Sequence, residues 1–437
     1  MLRALNERNA VVNIAEAQFP APFKSSLEYS PPARGNWNIV HVGMLVPESH
    51  QIYAAAQACL RGVVLTAAEM GCMERFSTIA IEEKNLIDGK IDALIINGVS
   101  DILEKLPERP KAVLLFTTCI HNFIGCDLNF VYSELRNKFP DIDFADCYMN
   151  LIMRKTVGQA EPLLRKQMYT LLKPETKVKS VNILGNVKAL PKSCELVQML
   201  ENAGYEIKDV CSCKSYEEFQ SMGGSIANIS TMPYSDSGNL ALSERLGQKA
   251  LILPLCFDYA KIENCLRHAA ETLGCEMPDV EKLKEKTEKE TLETKKIVKD
   301  MPVEIDYTAV PLPLEFAEYL LAHGFNVAGV FGNVFAEGDR AAFERLKKSA
   351  PQLKIYSTLN PVAQFLPHGE RDVLAVGQKA AFFNKTPHFV NIVEGAGLWG
   401  FDGINRLLRE MRDAAENEKD ISLIQIKGWG CGCCEAG

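Results

Sequence analysis

Short apolar stretches of strand length recur along the chain, and each is followed by a segment with the period of an α-helix. Several stretches, such as KAVLLF, ALILPL and DVLAV, are continuously apolar instead of alternating between apolar and polar residues. Such runs are typical of strands that are buried on both faces of a parallel sheet. The pattern therefore predicts an α/β protein built from repeated βαβ units. The predicted strands are residues 38–46, 92–99, 112–117, 178–184, 249–255, 327–331, 354–357, 372–376 and 389–393.

Three segments carry the clearest helical patterns. Residues 49–70 have apolar positions three and four apart, with Ser49 as a predicted N-cap and Gly71 as a predicted stop. Residues 401–414 form a second amphipathic pattern, with Asp402 as a predicted cap. Residues 279–300 mix both signs of charge and contain no glycine, which predicts a solvated helix between two domains. A binding surface is the alternative interpretation of that helix.

The length of the chain sets the number of domains. At roughly 150 residues per domain, a chain of 437 residues is expected to form about three. We predict an N-terminal α/β domain (1–175), a middle α/β domain that ends in the charged helix (176–300) and a C-terminal α/β domain (301–437). The net charge of −8 argues against a nucleic-acid-binding surface spread over the molecule.

Several common sequence signals are missing. No apolar run reaches ~18 residues, so we expect no membrane-spanning helix. The N-terminal residues lack the apolar region of a secretion signal, and we therefore expect a cytoplasmic protein. No Gly-x-x-x-x-Gly-Lys-Ser/Thr sequence is present, so we expect the chain itself to bind no nucleotide.

Cysteines near the ends of predicted strands are the main candidates for chemistry. The predicted strand 112–117 ends just before Cys119, and a helix is predicted to begin at Asp127, directly after Cys126. Ligands of open α/β sheets bind at the carboxyl ends of strands, and thiolates bind iron–sulfur clusters. Cys119 and Cys126 therefore lie where cluster ligands would be useful, although two buried loop cysteines remain the alternative. Cys59 taken alone is more typical of a helix face packed in a core.

The C-terminal sequence GWGCGCCEAG contains Cys431, Cys433 and Cys434 among four glycines. Packing does not explain three cysteines in such a segment, so metal or cluster ligands are predicted, with redox-active thiols as the alternative. The other cysteines and histidines are interpreted as structural: Cys194, Cys211, Cys213, Cys256, Cys265 and Cys275 as packed residues, and His50, His121 and His388 as hydrogen-bonded polar residues.

Three segments together resemble a known family. SHQIYAAAQACLRG, LLFTTCIHNFIGCDL and GLWGFDGINRLLREM are similar, in this order, to segments of nitrogenase component 1-type oxidoreductases. The resemblance implies three Rossmann-like domains with mostly parallel sheets around a central cleft. It places Cys119 on a cluster cysteine of the family and Cys59 approximately on the preceding one. The family's first cluster cysteine has no counterpart in residues 25–37, and Cys126 stands where the family has an aspartate, offering a third thiolate.

The resemblance also implies a function with two departures. The family's cofactor cysteine is missing from residues 227–238, and its cofactor histidine is missing before GFDG, so an iron–molybdenum cofactor of the nitrogenase kind is not expected. The implied protein is a subunit of a nitrogenase-like reductase with an iron–sulfur cluster, [4Fe–4S] or larger. Its implied partners are an ATP-hydrolysing iron protein, which supplies low-potential electrons, and either a second copy in a homodimer or a related subunit in a heterotetramer. A metallocluster assembly scaffold and a cluster-free small-molecule-binding protein are the alternatives.

Overall fold

The computed structural model describes residues 7–24, 28–29, 31–33, 38–149, 160–366 and 372–424. The strands in these residues are β1 Val11–Asn13, β2 Ser49–Ala55, β3 Phe76–Ala80, β4 Ala112–Thr118, β5 Asp143–Met149, β6 Ser180–Leu184, β7 Glu206–Asp209, β8 Ala227–Ser230, β9 Lys249–Ile252, β10 Val303–Asp306, β11 Val327–Phe331, β12 Lys354–Tyr356, β13 Leu374–Val376 and β14 Phe389–Val390. The α-helices are α1 Ile39–Met44, α2 Gln57–Glu69, α3 Glu83–Asp88, α4 Ile91–Lys105, α5 Cys119–Phe123, α6 Leu128–Lys138, α7 Ala160–Met168, α8 Glu195–Asn202, α9 Tyr216–Ser221, α10 Asp236–Leu246, α11 Tyr259–Leu273, α12 Val280–Val298, α13 Pro313–Ala322, α14 Arg340–Ser349, α15 Gln378–Asn384 and α16 Gly400–Glu416.

The strands form three sheets. Sheet I has the order β3-β2-β4-β5, sheet II the order β7-β6-β8-β9 and sheet III the order β1-β12-β11-β10-β13-β14. All neighbouring strands are parallel except β1, which is antiparallel to β12. The predicted α/β class with mostly parallel sheets is therefore confirmed.

The chain divides into two compact units. Unit 1 contains the described parts of residues 1–36, 188–204 and 254–426, and with them sheet III. Unit 2 contains the described parts of residues 37–187 and 205–253, and with them sheets I and II. None of the helices in the described part of the chain is both long and apolar enough to cross a membrane.

Sheet I is covered by helices on both faces, which explains why its strands are apolar throughout. Successive residues of β2 and β4 point to opposite faces, as the two-residue period of a strand requires. One face packs with α2 and the other with α4 and α6. The first core includes Tyr53, Ala55, Leu114 and Phe116, and the second includes Ile52, Ala54, Val113 and Leu115.

Two of the predicted strands are helices. Residues 38–46 contain α1, because the side chain of Asn38 accepts hydrogen bonds from the backbone N–H groups of Val40 and His41 and so caps a helix. Residues 92–99 lie inside α4, whose buried residues recur four apart, the spacing of one helix face. Each of the other predicted strands overlaps an observed strand.

The predicted helix over residues 49–70 is wrong in its first half. Ser49–Ala55 is β2, the fully buried strand between β3 and β4, and only Gln57–Glu69 is helical. The predicted cap Asp402 lies inside α16, which begins at Gly400 after the N-cap Trp399. The charged segment is confirmed as a helix, α12, capped by Asp279, but it lies within unit 1 and one of its faces is buried instead of solvated. The predicted helix start at Asp127 is confirmed as the N-cap of α6.

Candidate functional site

The topology of sheet I places Cys59 and Cys119 at one edge of the sheet. The strands β2 and β4 are parallel neighbours, with Tyr53 paired to Phe116, so their carboxyl ends lie side by side. After β2 the chain forms β3 on one side and then β4 on the other, which makes the gap between β2 and β4 a topological switch point. Ligands of open α/β sheets bind in the crevice at such a point.

Each of the two cysteines follows one of these strands directly. Cys59 lies in the first turn of α2, the helix after β2, and its side chain is exposed. Cys119 is the first residue of α5, the short helix after β4, and it is half-buried. No side chain caps the N-terminus of α2, and its first turn contains no acidic residue. The positive end of this 13-residue helix therefore favours a negatively charged bound group.

Two polar atoms beside Cys119 are buried and have no hydrogen-bond partner among the described residues: Thr118 Oγ1 and His121 Nε2. Both residues are nearly inaccessible to solvent. Burial lowers the pKa of His121, while the Asp92 carboxylate acts in the opposite direction. Unpaired buried polar groups are rare in folded proteins and call for a specific explanation. The expectation that His121 is fully hydrogen-bonded is therefore met at Nδ1 but not at Nε2 within the described chain.

Cys126 has a different environment from the other two cysteines. Its thiol donates a 2.7 Å hydrogen bond to Oδ1 of Asp92, and its side chain packs against the core on the α4 and α6 face of sheet I. Burial and this hydrogen bond raise the pKa of the Cys126 thiol to about 12. A metal ligand must be a thiolate, so Cys126 has to lose a tightly held proton before it can coordinate.

The described residues do not assemble a complete metal site on their own. No group of three His, Cys, Asp or Glu side chains in them could hold a metal ion. Cys431, Cys433 and Cys434 lie outside the described residues. What the described part of sheet I offers is therefore two thiols and two unpaired polar atoms at one edge.

The remaining cysteines and histidines are held by structural contacts. His50 Nε2 lies 2.8 Å from Ser77 Oγ, and burial, together with Arg75, lowers the pKa of His50 to about 4. Cys72 donates to the carbonyl of Ala67, and burial raises the pKa of its thiol. Cys211 donates a 2.8 Å hydrogen bond to Asp209, and burial raises the pKa of its thiol as well.

At the switch points of the other two sheets, the residues that the structure describes form no thiol–imidazole arrangement of this kind. In sheet II, between β6 and β8, the hydroxyl of Thr231 donates a 2.8 Å hydrogen bond to Asn186 Oδ1. In sheet III, between β10 and β13, the buried carboxylate of Asp306 accepts hydrogen bonds from the backbone N–H groups of Lys379 and Ala380, at 2.5 and 3.1 Å. The N-terminus of α15 is therefore occupied by a side chain of the same chain.

In the third segment of the family resemblance, a side chain of the same chain occupies the N-terminus of α16. GAGLWG at residues 395–400 has the glycine spacing of a dinucleotide-binding turn. The carboxylate of Glu195 accepts hydrogen bonds from the backbone N–H groups of Phe401 and Asp402, at 2.6 and 3.2 Å. A Cβ atom on Gly400 would lie 2.0 Å from Glu195 Oε1, which explains the glycine. Glu195 thus fills the place at which a phosphate would bind.

These features define a class: an α/β protein with three mostly parallel sheets and a thiol-bearing crevice at the switch point of one of them. Within that class, the sequence of the chain matches one family. The chain belongs to the nitrogenase component 1 type oxidoreductases, whose family model matches residues 41–416. This confirms the resemblance inferred from the three sequence segments.

Solved structures support the same fold. The structure of nitrogenase Cp1 at pH 6.5 matches with a TM-score of 0.66 at 16% identity, covering 90% of this chain and 94% of that chain. The structure of nitrogenase Cp1 at pH 5 matches with a TM-score of 0.56 at 12% identity, covering 93% of this chain and 94% of that chain. At these identities the likeness establishes the fold only. No individually curated protein matches the chain.

Proposed function

We propose that this chain is a subunit of a nitrogenase-like reductase and that Cys59 and Cys119 provide thiolate ligands for an iron–sulfur cluster. The observation that carries the proposal is the position of the two thiols on the two helices that flank the switch point of sheet I. Soft thiolate ligands are those that iron–sulfur clusters require. A bound cluster would supply low-potential electron transfer, and the chain's residues would hold and orient it.

The residues of sheet I fit a cluster that is shared with another chain. Two thiols are too few for a cluster held by four cysteines, and the described residues contain no third ligand grouped with them. Beside Cys119, the side chains of Phe123, Ile124 and Phe130 are exposed, with 71%, 42% and 49% of their surfaces accessible. Exposed apolar side chains grouped in this way mark interaction surfaces. We propose that a second component 1-type chain covers them and contributes the missing ligands, as a homodimer or as part of a heterotetramer.

The electron donor and the location of the protein are proposed from the family. A separate ATP-hydrolysing iron protein would deliver the electrons, since this sequence contains no P-loop of its own. The reductase would act in the cytoplasm. The substrate-binding site would differ from that of nitrogenase, because residues 227–238 contain no cysteine and residues 391–399 contain no histidine to hold nitrogenase's cofactor.

Cys126 and the terminal cysteines are proposed as further cluster ligands, after Cys59 and Cys119. Unlike Cys59 and Cys119, Cys126 has to give up its hydrogen bond to Asp92 before it can bind iron. Cys431, Cys433 and Cys434 bring three thiols on one short segment. Their roles can be separated by counting the iron that each variant retains.

Iron and acid-labile sulfide content after anaerobic purification tests the proposal directly. The wild-type chain is expected to be coloured and to contain both. Cys59→Ser and Cys119→Ser should each lose most of the iron, and Cys126→Ser should lose less. Cys265→Ser, which changes a half-buried cysteine on α11 in unit 1, is the matched control and should keep the full content. Colourless, iron-free wild-type protein would refute the proposal, as would equal iron in Cys119→Ser and Cys265→Ser.

A non-catalytic scaffold for cluster assembly is a second candidate function. It is favoured by the missing cofactor cysteine and histidine and by the three cysteines of the terminal segment. Incubation with an iron protein and ATP separates the two functions, because a reductase turns over a substrate whereas a scaffold releases its cluster to an acceptor. Deleting residues 431–437 lowers the iron per chain if the terminal thiols are ligands and leaves it unchanged if they are not.

A further inference from the structure

The side chain of His121 uses one ring nitrogen to hold its own helix. Nδ1 of His121 lies 2.9 Å from the backbone nitrogen of Thr118, the residue before Cys119. This contact ties the end of β4 to the first turn of α5. The other ring nitrogen, Nε2, is buried and has no partner among the residues that the structure describes.

The contact at Nδ1 determines which ring nitrogen carries the hydrogen. The amide hydrogen of Thr118 points at Nδ1, and two hydrogens cannot occupy one contact, so Nδ1 is the acceptor. The carbonyl oxygen of Thr118 lies farther from Nδ1, at 3.1 Å, and cannot be its partner at the same time. The ring is therefore neutral, and its hydrogen is on Nε2.

We propose that Nε2–H of His121 is a hydrogen-bond donor reserved for a sulfur atom of the cluster that Cys119 binds. The inference rests on the proposed function, because the acceptor is the cluster or its cysteine sulfur. It is carried by a donor that is buried without an acceptor among the described residues, two positions along the chain from the candidate ligand. Leaving such groups unpaired is costly, which favours a bound acceptor.

A donor in this position has a defined effect on the cluster. Addition of one electron increases the negative charge on the cluster sulfurs, and an N–H group directed at them stabilises the reduced form. His121 is thereby a positioning residue with two separable roles. Nδ1 stabilises the start of α5, and Nε2–H makes the cluster easier to reduce.

Two amide variants separate these roles. Asparagine places an oxygen near the position of Nδ1 and has no atom at Nε2, so His121→Asn should keep the hydrogen bond to Thr118 and lose the donor. Glutamine reaches the position of Nε2 with its NH₂ group, so His121→Gln should keep the donor and lose the bond to Thr118. The full-length chain is purified anaerobically with its iron, and each variant is measured by thermal unfolding and by a potentiometric titration followed by electron paramagnetic resonance.

The proposal predicts opposite patterns in the two measurements. His121→Asn should keep the wild-type melting temperature and shift the midpoint potential to more negative values. His121→Gln should keep the wild-type midpoint potential and lower the melting temperature. Equal potentials in wild type and His121→Asn would overturn the inference while leaving the proposed function intact, and so would loss of iron in His121→Asn, which indicates a ligand instead of a donor. A wild-type chain without iron would overturn both.

Discussion

Glu195 gives the most quantitative prediction, because its buried carboxyl group accepts hydrogen bonds at the N-terminus of α16 and has a strongly raised pKa. It is 2% exposed and accepts hydrogen bonds from the backbone of Phe401 and Asp402. The change to test is Glu195→Gln, which keeps the size of the side chain and one acceptor oxygen but cannot ionise. Ser193 and Asp402, joined by a 3.1 Å hydrogen bond, hold the same helix start and remain unchanged.

The magnitude follows from the protonation of this carboxyl group. Burial raises the pKa of Glu195 from 4.5 to about 7, against the backbone N–H groups that lower it. Because its pKa is higher in the folded chain than in the unfolded chain, folding binds the proton. The resulting stabilisation is fully present below about pH 4.5 and is lost as the pH rises through about 7. Lowering the pH from about 8 to about 5 should therefore raise the free energy of unfolding by roughly 2.5 kcal/mol through this group alone.

The assay uses a tryptophan at the site as its reporter. Trp399 is buried and is the N-cap of α16, and the sequence contains only two other tryptophans, Trp37 and Trp429. With both of those changed to Phe, urea unfolding followed by fluorescence reports on the Glu195 region. As the pH falls from about 8 to about 5, the free energy of unfolding of the chain with Glu195 should rise by roughly 2.5 kcal/mol relative to that of Glu195→Gln in the same two-Phe background. Glu201→Gln, an exposed change on the same helix, is the control. Parallel pH profiles for the parent and Glu195→Gln would refute the reasoning.

Two further predictions concern the proposed interface and sheet III. Phe123→Glu should weaken self-association roughly tenfold or more and lower the iron per chain, because burying a Phe contributes about 1.5–3 kcal/mol. Light scattering and iron analysis test this, with Ile87→Glu, a change at another highly exposed apolar residue, as the control. An unchanged oligomer with full iron would contradict the prediction. Asp306→Asn should lower the free energy of unfolding by roughly 1–3 kcal/mol, because an amide cannot accept from all the backbone N–H groups that donate to the Asp306 carboxylate. Urea unfolding followed by circular dichroism measures the loss, and Asp372→Asn, at an exposed residue, is the control. Equal stabilities of wild type and Asp306→Asn would contradict the prediction.

The fold class could be predicted from the sequence because buried parallel strands leave a local signature. The continuously apolar runs at residues 112–117 and 327–331 are strands in the structure. The central strand β2 could not be found in this way, because it begins with three buried polar residues. His50 is paired with Ser77, 27 positions away, and Gln51 with the carbonyl of Val40, 11 positions away, whereas Ser49 bonds locally to the carbonyl of Val46. Partners of this kind are set by tertiary structure, which local periodicity does not report.

The candidate site was predictable only in part, for the same physical reason. The position of Cys119 at the end of a strand is a local property, and the sequence shows it. That Cys59 and Cys119 follow neighbouring strands depends on strand order, which no short segment encodes. The interaction of Cys126 with Asp92 joins residues 34 positions apart, and the misread strand at residues 92–99 concealed it. The unpaired Nε2 of His121 is visible only once every neighbour has been placed.

A comparison of the three sheets supports the proposed position of the cluster at sheet I. All three have a switch point, and fold alone therefore predicts three equivalent crevices. In sheet III the backbone donors at the crevice are already taken by Asp306, and in sheet II Asn186 and Thr231 bond to each other across it. At sheet I, the described residues place an exposed thiol, Cys59, and a half-buried thiol, Cys119, directly after the two strands that flank the switch point. Buried polar atoms without a partner among the described residues also lie beside the other two crevices, at Asn186 Nδ2 and Gln378 Oε1. The thiols that follow β2 and β4 are therefore what distinguishes the crevice of sheet I.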